Sequence, residues 1–586
     1  MNYTLLNSDN IVYKDIKRVF VNRGVQPNEI EHYLNVGPED ENDPLLLNNM
    51  KHGATMLMLA AKHNHKVALV VDCDCDGFTA SALLYNYWWG LLPNWVENWE
   101  WFIHEDKEHG LSDVIDDILN SGAKLCIVPD AGGGDGEYAQ RLEAAGISTL
   151  FLDHHDAEPD SYYPGVVINN QHGTYPNRTL SGVGVVYKFC QYFDSLLGNS
   201  DDNKSAKHYM DLVSIGCTAD LMPLTNYETL YYIRTGVANI NNPFLSAVRD
   251  LQEYSINKHG YLDPFAIGFY FAPLINATIR VGTESEKRFL FMALLERYGL
   301  DEVPSTKRGH SGELETRATQ AARMCSNVRT RQNKLRDSQL ARIEALIQEQ
   351  HLTEDAMIMV RIPPEEKMDR NILGLIANIL MDKYQRPILL LNYDKDTWEW
   401  AGSVRNYPYF PITNLRLFLE NKPGVIYASG HASAFGIAIS DDLIDEFKAS
   451  IDTLPDINLE PTYRVDYVFD AENFDPQIIL DIAKCTELWG QEFPEPYVAV
   501  TDISCSGTNV QLLSKDKHPT IKITLPNGVA IMKFGSSEEE YNTLAADGMV
   551  KYIDVVGTCA ENYWAGVSTP QVLVKDFRIN NAKWDF

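Results

Sequence analysis

The sequence predicts an α/β protein: two α/β lobes joined by a long helix, followed by a C-terminal β-barrel. Three observations predict this class: apolar strands alternating with helical stretches in two regions, one long run without proline, and a final series of short strands. The chain of 586 residues is long enough for several domains. We expect an N-terminal helical segment at 1–50, a first lobe at 51–310, a connecting helix at 311–350, a second lobe at 351–455 and the barrel at 456–586.

The first lobe contains apolar strands with polar residues at their ends. Val67–Val71, Ala123–Val128 and Ile147–Leu152 have strand length, and helical stretches separate them, which predicts a parallel sheet. A fourth apolar segment, Leu212–Thr218, has a partly helical pattern. Ligands bind outside the carboxyl ends of the strands in such sheets. Because Asp or His follows these segments, we expect a site at this edge.

The remaining segments follow in order. Residues 311–350 are rich in Ala, Leu, Arg and Gln, which predicts one long helix. Its stretch from Arg317 to Arg336 has no acidic residue and is either a solvated helix face or a contact for a phosphate backbone. Residues 351–455 repeat the α/β pattern. In 461–586, short β-like runs separated by Gly, Asn and Asp turns predict the small barrel.

Composition excludes several classes of protein. The 45% hydrophobic and 22% charged residues exclude a disordered chain, a collagen and a membrane bundle. We see no secretory signal and no uninterrupted apolar run of membrane-spanning length. The net charge of −31 argues against indiscriminate wrapping of nucleic acid but allows a local basic groove. Nine cysteines without zinc-site spacing predict a reduced, cytoplasmic protein.

The strongest motif is Asp72-Cys73-Asp74-Cys75-Asp76-Gly77, directly after the first strand. Three carboxylates at alternate positions repel one another unless a cation lies between them, and Mg²⁺ or Mn²⁺ takes carboxylate oxygens. Gly77 allows a tight turn into a helix whose N-terminus favours an anionic substrate. A solvated acidic turn is the alternative interpretation.

Further acidic and histidine residues follow the later segments. Asp153-His154-His155-Asp156 follows one strand, Asp130 follows another, and Asp220 follows the fourth segment. A surface cluster is the alternative for the histidine pair. A histidine nitrogen shifts the preference from Mg²⁺ towards Mn²⁺. Several carboxylates with a histidine can hold two metal ions, an arrangement that suits in-line phosphoester hydrolysis.

These motifs, in this order, resemble the DHH phosphoesterase superfamily and, within it, the RecJ single-strand exonucleases. The resemblance covers nearly the whole chain. In the first lobe it rests on Asn42–Leu47, Asp72–Gly77, Pro129–Gly132, Asp153–His155, Ser181–Val185, Gly216–Pro223 and Ala272–Arg280. In the second lobe, Ala401–Asn406 and Ser429–Gly436 resemble the DHH-associated domains. Leu488–Pro496 is similar to the start of the RecJ OB-fold, so the barrel is expected to be OB-fold-like.

The resemblance implies roles for individual residues. Two Mn²⁺ or Mg²⁺ ions would be held by Asp74, Asp76, Asp130, His154 and Asp220, with Asp130 bridging the two. Asp72 and Asp153 would orient or assist, and His155 would contact the scissile phosphate. The 5′-terminal phosphate would be bound by Arg280, Ser403 and Arg405, and the next backbone phosphates by Gly430 and His431. For Arg280, a structural ion pair is the alternative.

The chain departs from the family pattern at four positions outside the implied metal ligands. The pattern has Gly where this chain has Ile279 and Ser429, Asn where it has Ala131, and Ser where it has Asn406. These departures concern the phosphate pocket and the choice of DNA end. They also suggest a phage-encoded or otherwise specialised member.

The resemblance implies a metal-dependent, single-stranded-DNA-specific 5′→3′ exonuclease that releases 5′-mononucleotides in recombination, repair or replication. Single-stranded DNA is the expected partner, with a single-strand-binding protein or a helicase beside it. We expect a monomer without membrane association, in the cytoplasm, or in the host cytoplasm if phage-encoded. One alternative is a phosphodiesterase for short RNA oligonucleotides, against which the extra barrel argues. The other is a non-catalytic DNA-binding scaffold, against which the complete ligand set argues.

Aromatic residues and cysteines outside these motifs have simpler interpretations. The Trp- and Tyr-rich stretch Tyr85–Trp101 is more typical of core packing than of a base-stacking platform. Trp489 and Phe493 are expected to pack at a junction between lobes. Cys73 and Cys75 are expected to be small buried fillers.

Overall fold

The computed structural model describes residues 1–7, 14–105, 108–257, 262–452, 461–514, 519–545, 550–564 and 566–580. The chain forms two compact units. The larger contains Tyr3–Ser326 and Tyr463–Phe586, and the smaller contains Met1–Asn2 and Asn327–Thr462. The first lobe and the C-terminal strands therefore share one unit, although the second lobe separates them in sequence.

The N-terminal half contains β1 Asn2–Leu5, β2 Val67–Val71, β3 Trp99–Ile103, β4 Leu125–Pro129, β5 Ser148–Asp153, β6 Val166–Asn169, β7 Glu302–Pro304 and β8 Leu314–Thr316. Its helices are α1 Lys17–Asn22, α2 Ile30–Leu34, α3 Met50–Lys62, α4 Cys75–Leu91, α5 Pro93–Val96, α6 Ile115–Asn120, α7 Gly136–Ala144, α8 Gly182–Leu197, α9 Met210–Ala219, α10 Tyr227–Ala238, α11 Pro243–Leu251, α12 Glu253–Asn257, α13 Pro264–Ala266, α14 Ala272–Val281, α15 Glu284–Leu294 and α16 Glu296–Gly299.

The C-terminal half contains β9 Ile358–Ile362, β10 Ile388–Asp394, β11 Glu399–Arg405, β12 Val425–Gly430, β13 Ala434–Ser440, β14 Thr462–Asp470, β15 Tyr497–Cys505, β16 Val510–Leu513, β17 Thr520–Thr524, β18 Ala530–Phe534, β19 Lys551–Trp564 and β20 Val567–Asn580. Its helices are α17 Arg317–Glu349, α18 Arg370–Tyr384, α19 Leu415–Glu420, α20 Ile444–Asp452, α21 Gln477–Ala483 and α22 Glu538–Ala545.

The parallel sheet that was predicted in the first lobe has the strand order β3-β2-β4-β5-β6. Each residue of β2 and β4 is buried, as a strand covered on both faces requires. Val67, Leu69 and Val71 face one hydrophobic core, and Ala68 and Val70 face another. Sequence reasoning missed the outer strands β3 and β6, and the fourth segment is helix α9 rather than a strand.

The predicted helical segment 1–50 begins instead with strand β1. This strand lies beside β14 at the edge of the C-terminal sheet, and the Leu6 N–H next to it donates to the Val465 carbonyl at 2.8 Å. Because the pairing partner comes from the far end of the chain, no local pattern could reveal the strand. Helices α1 and α2 follow, as expected.

The connecting helix α17 is shorter than the predicted 311–350, because hairpin β7–β8 occupies the residues before it. Several of its arginines have acidic partners. Arg317 lies 3.3 Å from Asp301, and Arg323 lies 2.6 Å from Glu315. Arg342 lies 2.8 Å from Glu349. These three arginines thus take part in structural ion pairs, which argues against their use as phosphate contacts.

The smaller unit contains a five-stranded sheet with the order β12-β13-β11-β10-β9. Strands β9 and β10 are parallel, and the other pairs are antiparallel. Its core is a separate hydrophobic cluster that includes Leu389, Leu391, Ile437 and Phe447.

The C-terminal strands form an open sheet with the order β1-β14-β15-β19-β20-β18-β17-β16, rather than a closed barrel. Within the part of the chain that the structure describes, the edge strands β1 and β16 do not pair with each other, so the sheet is not closed. The strands, their turns and their mixed directions are nevertheless compatible with the expected OB-fold-like domain. The predicted α/β class with this C-terminal domain is confirmed.

Aromatic residues tie the C-terminal sheet to the first lobe within the larger unit. The rings of Tyr33 and Phe493 stack with centroids 4.8 Å apart, and Phe493 stacks on Trp489 at 5.7 Å. Arg23 lies 2.9 Å from the buried Asp466. The Leu224 N–H of the first lobe also donates to the Gln491 carbonyl at 3.0 Å. Trp489 and Phe493 therefore pack where the first lobe, the N-terminal segment and the C-terminal part of the chain meet.

The Trp- and Tyr-rich stretch Tyr85–Trp101 is also part of the core. Tyr85, Tyr87, Trp88, Trp95 and Trp99 are all buried, which confirms packing over base stacking. The helical run Pro264–Val281 has the length and composition of a membrane span, but 56% of it is buried, as in the core helices of globular proteins.

Candidate metal centre

The sheet of the first lobe reverses its strand order between β2 and β4. From β2 the chain continues to β3 on one side and then to β4 on the other. Such a switch point opens a crevice at the carboxyl ends of the two strands. Asp72 follows β2 and Asp130 follows β4, while Asp153 is the last residue of β5. The topology therefore brings the acidic strand ends together.

The N-termini of two helices approach the same crevice. Asp74 caps α4, because its carboxylate accepts a hydrogen bond from the Gly77 N–H at 2.9 Å. The buried Asp76 accepts from the N–H groups of Gly182 at 2.7 Å and Val183 at 3.1 Å, at the start of α8. Partial positive charge at both helix ends favours carboxylates and phosphates.

Two glycines allow the helices to come this close. A Cβ at Gly182 would lie 2.2 Å from Asp130 Oδ1. A Cβ at Gly216, on α9, would lie 2.3 Å from Asp76 Oδ1. Any larger side chain at either position would displace a carboxylate of the site. Gly182 and Gly216 are therefore needed for the helices to pack this closely against Asp130 and Asp76.

The five predicted metal ligands meet at this crevice. His154 Nε2 lies 3.2 Å from Asp130 Oδ1 and 3.5 Å from Asp220 Oδ2. Donor atoms of Asp76, His154 and Asp220 lie within 4.8 Å of one another. The same holds for Asp72, Asp74 and Asp130. Two adjoining groups of three donors are thus present, and Asp72 lies within one of them.

The centre has an excess of buried negative charge. Burial, and then the neighbouring charge of Asp76, raise the pKa of Asp130 well above its usual range. Burial and Asp74 raise the pKa of Asp76 to about 7, and burial and Asp76 raise that of Asp220 to about 8. Asp130 Oδ1 is buried and has no hydrogen bond within the described ranges of the chain. Carboxylates lacking a counter-charge, beside a histidine nitrogen, fit divalent cations.

The two histidines of the motif differ in their surroundings. Burial lowers the pKa of His154 to about 4, so its imidazole is neutral and suited to binding a metal. His155 is half exposed, and its Nδ1 lies 2.8 Å from Asp153 Oδ1. Burial opposes protonation of His155, but the hydrogen bond with Asp153 raises its pKa to about 9.

Asp153 is a buried anchor for His155. Its other oxygen accepts a hydrogen bond from the Tyr162 hydroxyl at 2.8 Å, and Asn169 donates to that hydroxyl at 3.2 Å. Burial would raise the pKa of Asp153, but the hydrogen bond with His155 lowers it to about 2. The arrangement holds His155 at the rim of the centre with its second nitrogen directed away from Asp153.

Sequence reasoning missed two histidines near Asp72. His109 Nδ1 lies 2.6 Å from Asp72 Oδ2, and the Gly110 N–H donates to Asp72 Oδ1 at 3.1 Å. His104 Nε2 lies 3.9 Å from the same oxygen. Both histidines follow β3, the strand hidden in the aromatic stretch. Recognising Trp99–Ile103 as a strand would have placed them at the carboxyl edge of the sheet.

The predicted phosphate-binding residues fall into two places. Ser403 and Arg405 lie on β11, and Gly430 ends β12. Strand β13 pairs with both strands, with Phe435 opposite Gly430 and Ala434 opposite Arg405. These residues and the adjacent His431 therefore lie at one end of one sheet in the smaller unit. Arg280 lies in the last turn of α14, in the larger unit.

Two of the departures from the family pattern also lie at that end of the sheet. Asn406 is buried, and its side chain donates to the Ile412 carbonyl at 2.8 Å. Ser429 lies on β12 opposite Gly436, which is also opposite Ser403. Asn406 thus has a structural role, and Ser429 lies two strands from Ser403.

Comparisons with known proteins identify the family to which two parts of the chain are similar. The DHH family, N-terminal domain, matches residues 66–217, and the RecJ OB domain matches residues 465–576. YorK of Bacillus subtilis strain 168, named as a prophage-derived single-strand DNA-specific exonuclease, is 30% identical over 100% of this chain and 99% of its own length. The single-stranded-DNA-specific exonuclease RecJ of the same strain is 22% identical over 96% of this chain and 68% of its own length.

Solved structures show the same fold. The crystal structure of RecJ in complex with Mn²⁺ from Thermus thermophilus has a TM-score of 0.69 and 20% sequence identity, over 99% of this chain and 80% of that one. The complex of the same protein with Mg²⁺ has a TM-score of 0.64 and 19% identity, over 99% and 78%.

Proposed function

Because the chain belongs to the RecJ-like branch of the DHH superfamily, we propose that it is a metal-dependent exonuclease. It degrades single-stranded DNA from the 5′ end and releases 5′-mononucleotides. The observation that carries this proposal is the pair of adjoining donor groups at the switch point. Asp130 Oδ1 is buried there, 3.2 Å from His154 Nε2, and accepts no hydrogen bond from the residues that the structure describes. A site built to hydrolyse phosphoesters needs such a concentration of oxygen donors.

Two Mn²⁺ or Mg²⁺ ions would be held by the carboxylates of Asp74, Asp76, Asp130 and Asp220 and the imidazole of His154, and Asp130 would be a ligand to both. The neutral imidazole of His154 favours Mn²⁺ over Mg²⁺. Bound divalent cations stabilise the negative charge that develops on a phosphoester and help to activate water. The carboxylate of Asp72 lies within 4.8 Å of donor atoms of Asp74 and Asp130 and would orient these two ligands.

The protein itself contributes charge and orientation. His155, protonated near neutral pH and held by Asp153, donates a hydrogen bond to the scissile phosphate. The N–H groups in the first turns of α4 and α8 donate to the carboxylates of Asp74 and Asp76, which fixes these two carboxylates in the crevice. His155 would stabilise the charge that grows in the transition state, which is where stabilisation accelerates hydrolysis.

The DNA strand is held by contacts to its phosphates. In the smaller unit, Ser403, Arg405, Gly430 and His431 would bind phosphates of the strand. In the larger unit, Arg280 would bind a phosphate. An arginine fork suits a terminal phosphate, and the positive φ of 128° at Gly430 suits a turn whose backbone approaches phosphate closely. The OB-fold-like sheet guides the incoming single strand.

The cellular setting extends the same proposal. All nine cysteines are free, which suits a reducing cytoplasm, that of the host if the protein is phage-encoded. There the enzyme acts as a monomer in recombination, repair or replication. A single-strand-binding protein or a helicase supplies its single-stranded substrate.

The test is product analysis on labelled DNA. Single strands with a 5′-phosphate or a 5′-hydroxyl, and a duplex, are incubated with and without Mn²⁺. We expect mononucleotides from the 5′ end of single strands, only with metal. Asp74→Ala should abolish hydrolysis and retain DNA binding, while Asp156→Asn, an exposed acid beside the histidine motif, should remain active.

Each contrary outcome supports a different function. Intact long strands with cleavage of dinucleotides would favour a phosphodiesterase for short RNA oligonucleotides. Binding without cleavage under any metal would favour the scaffold. Log affinity for single strands should fall with log salt by about 0.7 per neutralised phosphate, and Arg405→Ala should reduce that slope.

A further inference from the structure

A second type of donor cluster adjoins the metal centre on the side of β3. His109 Nε2 lies 3.7 Å from Cys73 Sγ, and His109 Nδ1 lies 2.6 Å from Asp72 Oδ2. The donor atoms of Cys73, His109 and Asp72 all lie within 4.8 Å of one another. This cluster differs from the neighbouring groups because it contains sulfur.

A buried histidine points to the same carboxylate. His104 has a fully buried side chain, and its Nδ1 lies 2.5 Å from Asp113 Oδ1. Since a carboxylate accepts, His104 Nδ1 carries a proton. His104 Nε2 lies 3.9 Å from Asp72 Oδ1 and makes no hydrogen bond to the residues that the structure describes. A carboxylate that fixes one nitrogen of a histidine is the usual support for a metal-binding imidazole.

The donor types select the cation. Thiolate and imidazole bind Zn²⁺ strongly, whereas Mg²⁺ and Mn²⁺ prefer the oxygen donors of the neighbouring groups. In a tetrahedral zinc site with bonds of about 2.0–2.3 Å, donor atoms are about 3.3–3.8 Å apart. If His109 binds through Nδ1, the 3.8 Å between that nitrogen and Cys73 Sγ lies at the upper end of this range. The 2.6 Å between the same nitrogen and Asp72 Oδ2 is a hydrogen-bond distance and would have to widen when zinc replaces the proton.

We propose that Cys73, His109 and Asp72 form a third cation site, selective for Zn²⁺, whose occupation inhibits the enzyme. Binding displaces the thiol proton of Cys73 to solvent and draws Asp72 towards the zinc. Asp72 also belongs to the group formed with Asp74 and Asp130, so the two sites share one carboxylate. The inhibitory half of the proposal rests on the proposed function, but the binding half does not.

Binding is tested with Co²⁺, a spectroscopic substitute for Zn²⁺, on the full chain in excess Mg²⁺. We expect a cobalt–thiolate charge-transfer band in the near ultraviolet that saturates at one equivalent and disappears when Zn²⁺ is added. Cys73→Ser should lose the band. Cys75→Ser, the matched control with a buried thiol two residues away, should keep it. A band that survives in Cys73→Ser, or no band in the wild type, would overturn the site.

The exposed His109 provides a variant that tests the site without altering a buried residue. His109→Asn should weaken Co²⁺ binding by at least about tenfold while its melting temperature stays near that of the wild type. Unchanged Co²⁺ affinity in this variant would remove His109 from the site and overturn the proposal even if Cys73→Ser failed to fold.

Inhibition is measured as the Zn²⁺ concentration that halves Mn²⁺-dependent hydrolysis. Cys73→Ser should need at least about tenfold more Zn²⁺ than the wild type or Cys75→Ser. Equal sensitivity in all three would show that Zn²⁺ acts at the carboxylate groups, and would overturn the coupling. If the wild type shows no hydrolysis at all, the proposed function fails while the Co²⁺ band still decides the site.

Discussion

Two buried carboxylates of the larger unit, those of Glu228 and Asp130, differ in whether their charge is balanced by neighbouring groups. Glu228 on α10 is 1% exposed and lies 3.1 Å from the fully buried Lys188. Its oxygens also accept hydrogen bonds from Asn42, Tyr175, Asn177 and Tyr232. Asp130, equally buried, has several carboxylates as neighbours, and one of its oxygens makes no hydrogen bond to any described residue.

The difference separates a structural charge from a functional one. A buried charge is tolerated when it is paired and hydrogen-bonded, as Glu228 is. Carboxylates gathered without a counter-charge persist because the rest of the fold holds them there, and a cation relieves their repulsion. The comparison predicts that changes at Asp130 alter activity, whereas changes at Glu228 alter stability.

The largest expected effect is that of Asp130→Asn. Loss of a shared ligand should reduce hydrolysis by about 10³-fold or more, since several kcal/mol of transition-state stabilisation depend on the metal and each tenfold costs about 1.4 kcal/mol. The metal-free variant should be at least as stable as the wild type, because the wild type must either bury a charge at Asp130 or take up a proton there, whereas Asn does neither. Steady-state rates measure the loss of hydrolysis, and chemical denaturation without metal measures the stability. A strongly destabilised variant would remove the contrast with Glu228.

The next effect is that of Glu228→Gln. It leaves the buried charge of Lys188 without its anionic partner, although Gln191 still accepts a hydrogen bond from it at 2.8 Å. The free energy of unfolding should fall by about 3–5 kcal/mol. Hydrolysis per folded molecule should be unchanged at a temperature where the variant is folded. The double variant Glu228→Gln with Lys188→Met should recover much of the stability, and denaturation of both variants tests this. No recovery would mean that the hydrogen bonds, rather than the charge pair, matter most.

A smaller effect separates the regions by their response to metal. At 100 times its dissociation constant, Mn²⁺ should stabilise the wild type by about 2.7 kcal/mol. The same gain should appear in Glu228→Gln and be largely lost in Asp130→Asn. Thermal melting with and without Mn²⁺ measures it. An equal gain in both variants would place the cation elsewhere.

The smallest expected effect is that of Tyr162→Phe. Its hydroxyl supports Asp153, which in turn holds His155. Loss of this support should lower kcat by about tenfold with little change in KM or in unfolding free energy. A change in KM alone would instead indicate that Tyr162 affects DNA binding.

The sequence by itself determined the parts that depend on local patterns. The apolar run Val67–Val71 is a strand with those bounds, and the acidic or histidine residues after β2, β4, β5 and α9 meet at one centre. Strand direction in a parallel sheet places all carboxyl ends at one edge, so the site could be predicted without coordinates. The five predicted metal ligands therefore come together, although their roles stay a proposal.

Only the tertiary structure decided which distant groups support or balance these charges. Lys188 beside Glu228, His109 beside Asp72 and strand β1 beside β14 join segments that no periodicity relates. The same holds for the place of the C-terminal sheet in the unit of the first lobe. Patterns of period two or 3.6 record what a segment buries, but which partner it meets depends on how the packed elements lie in space.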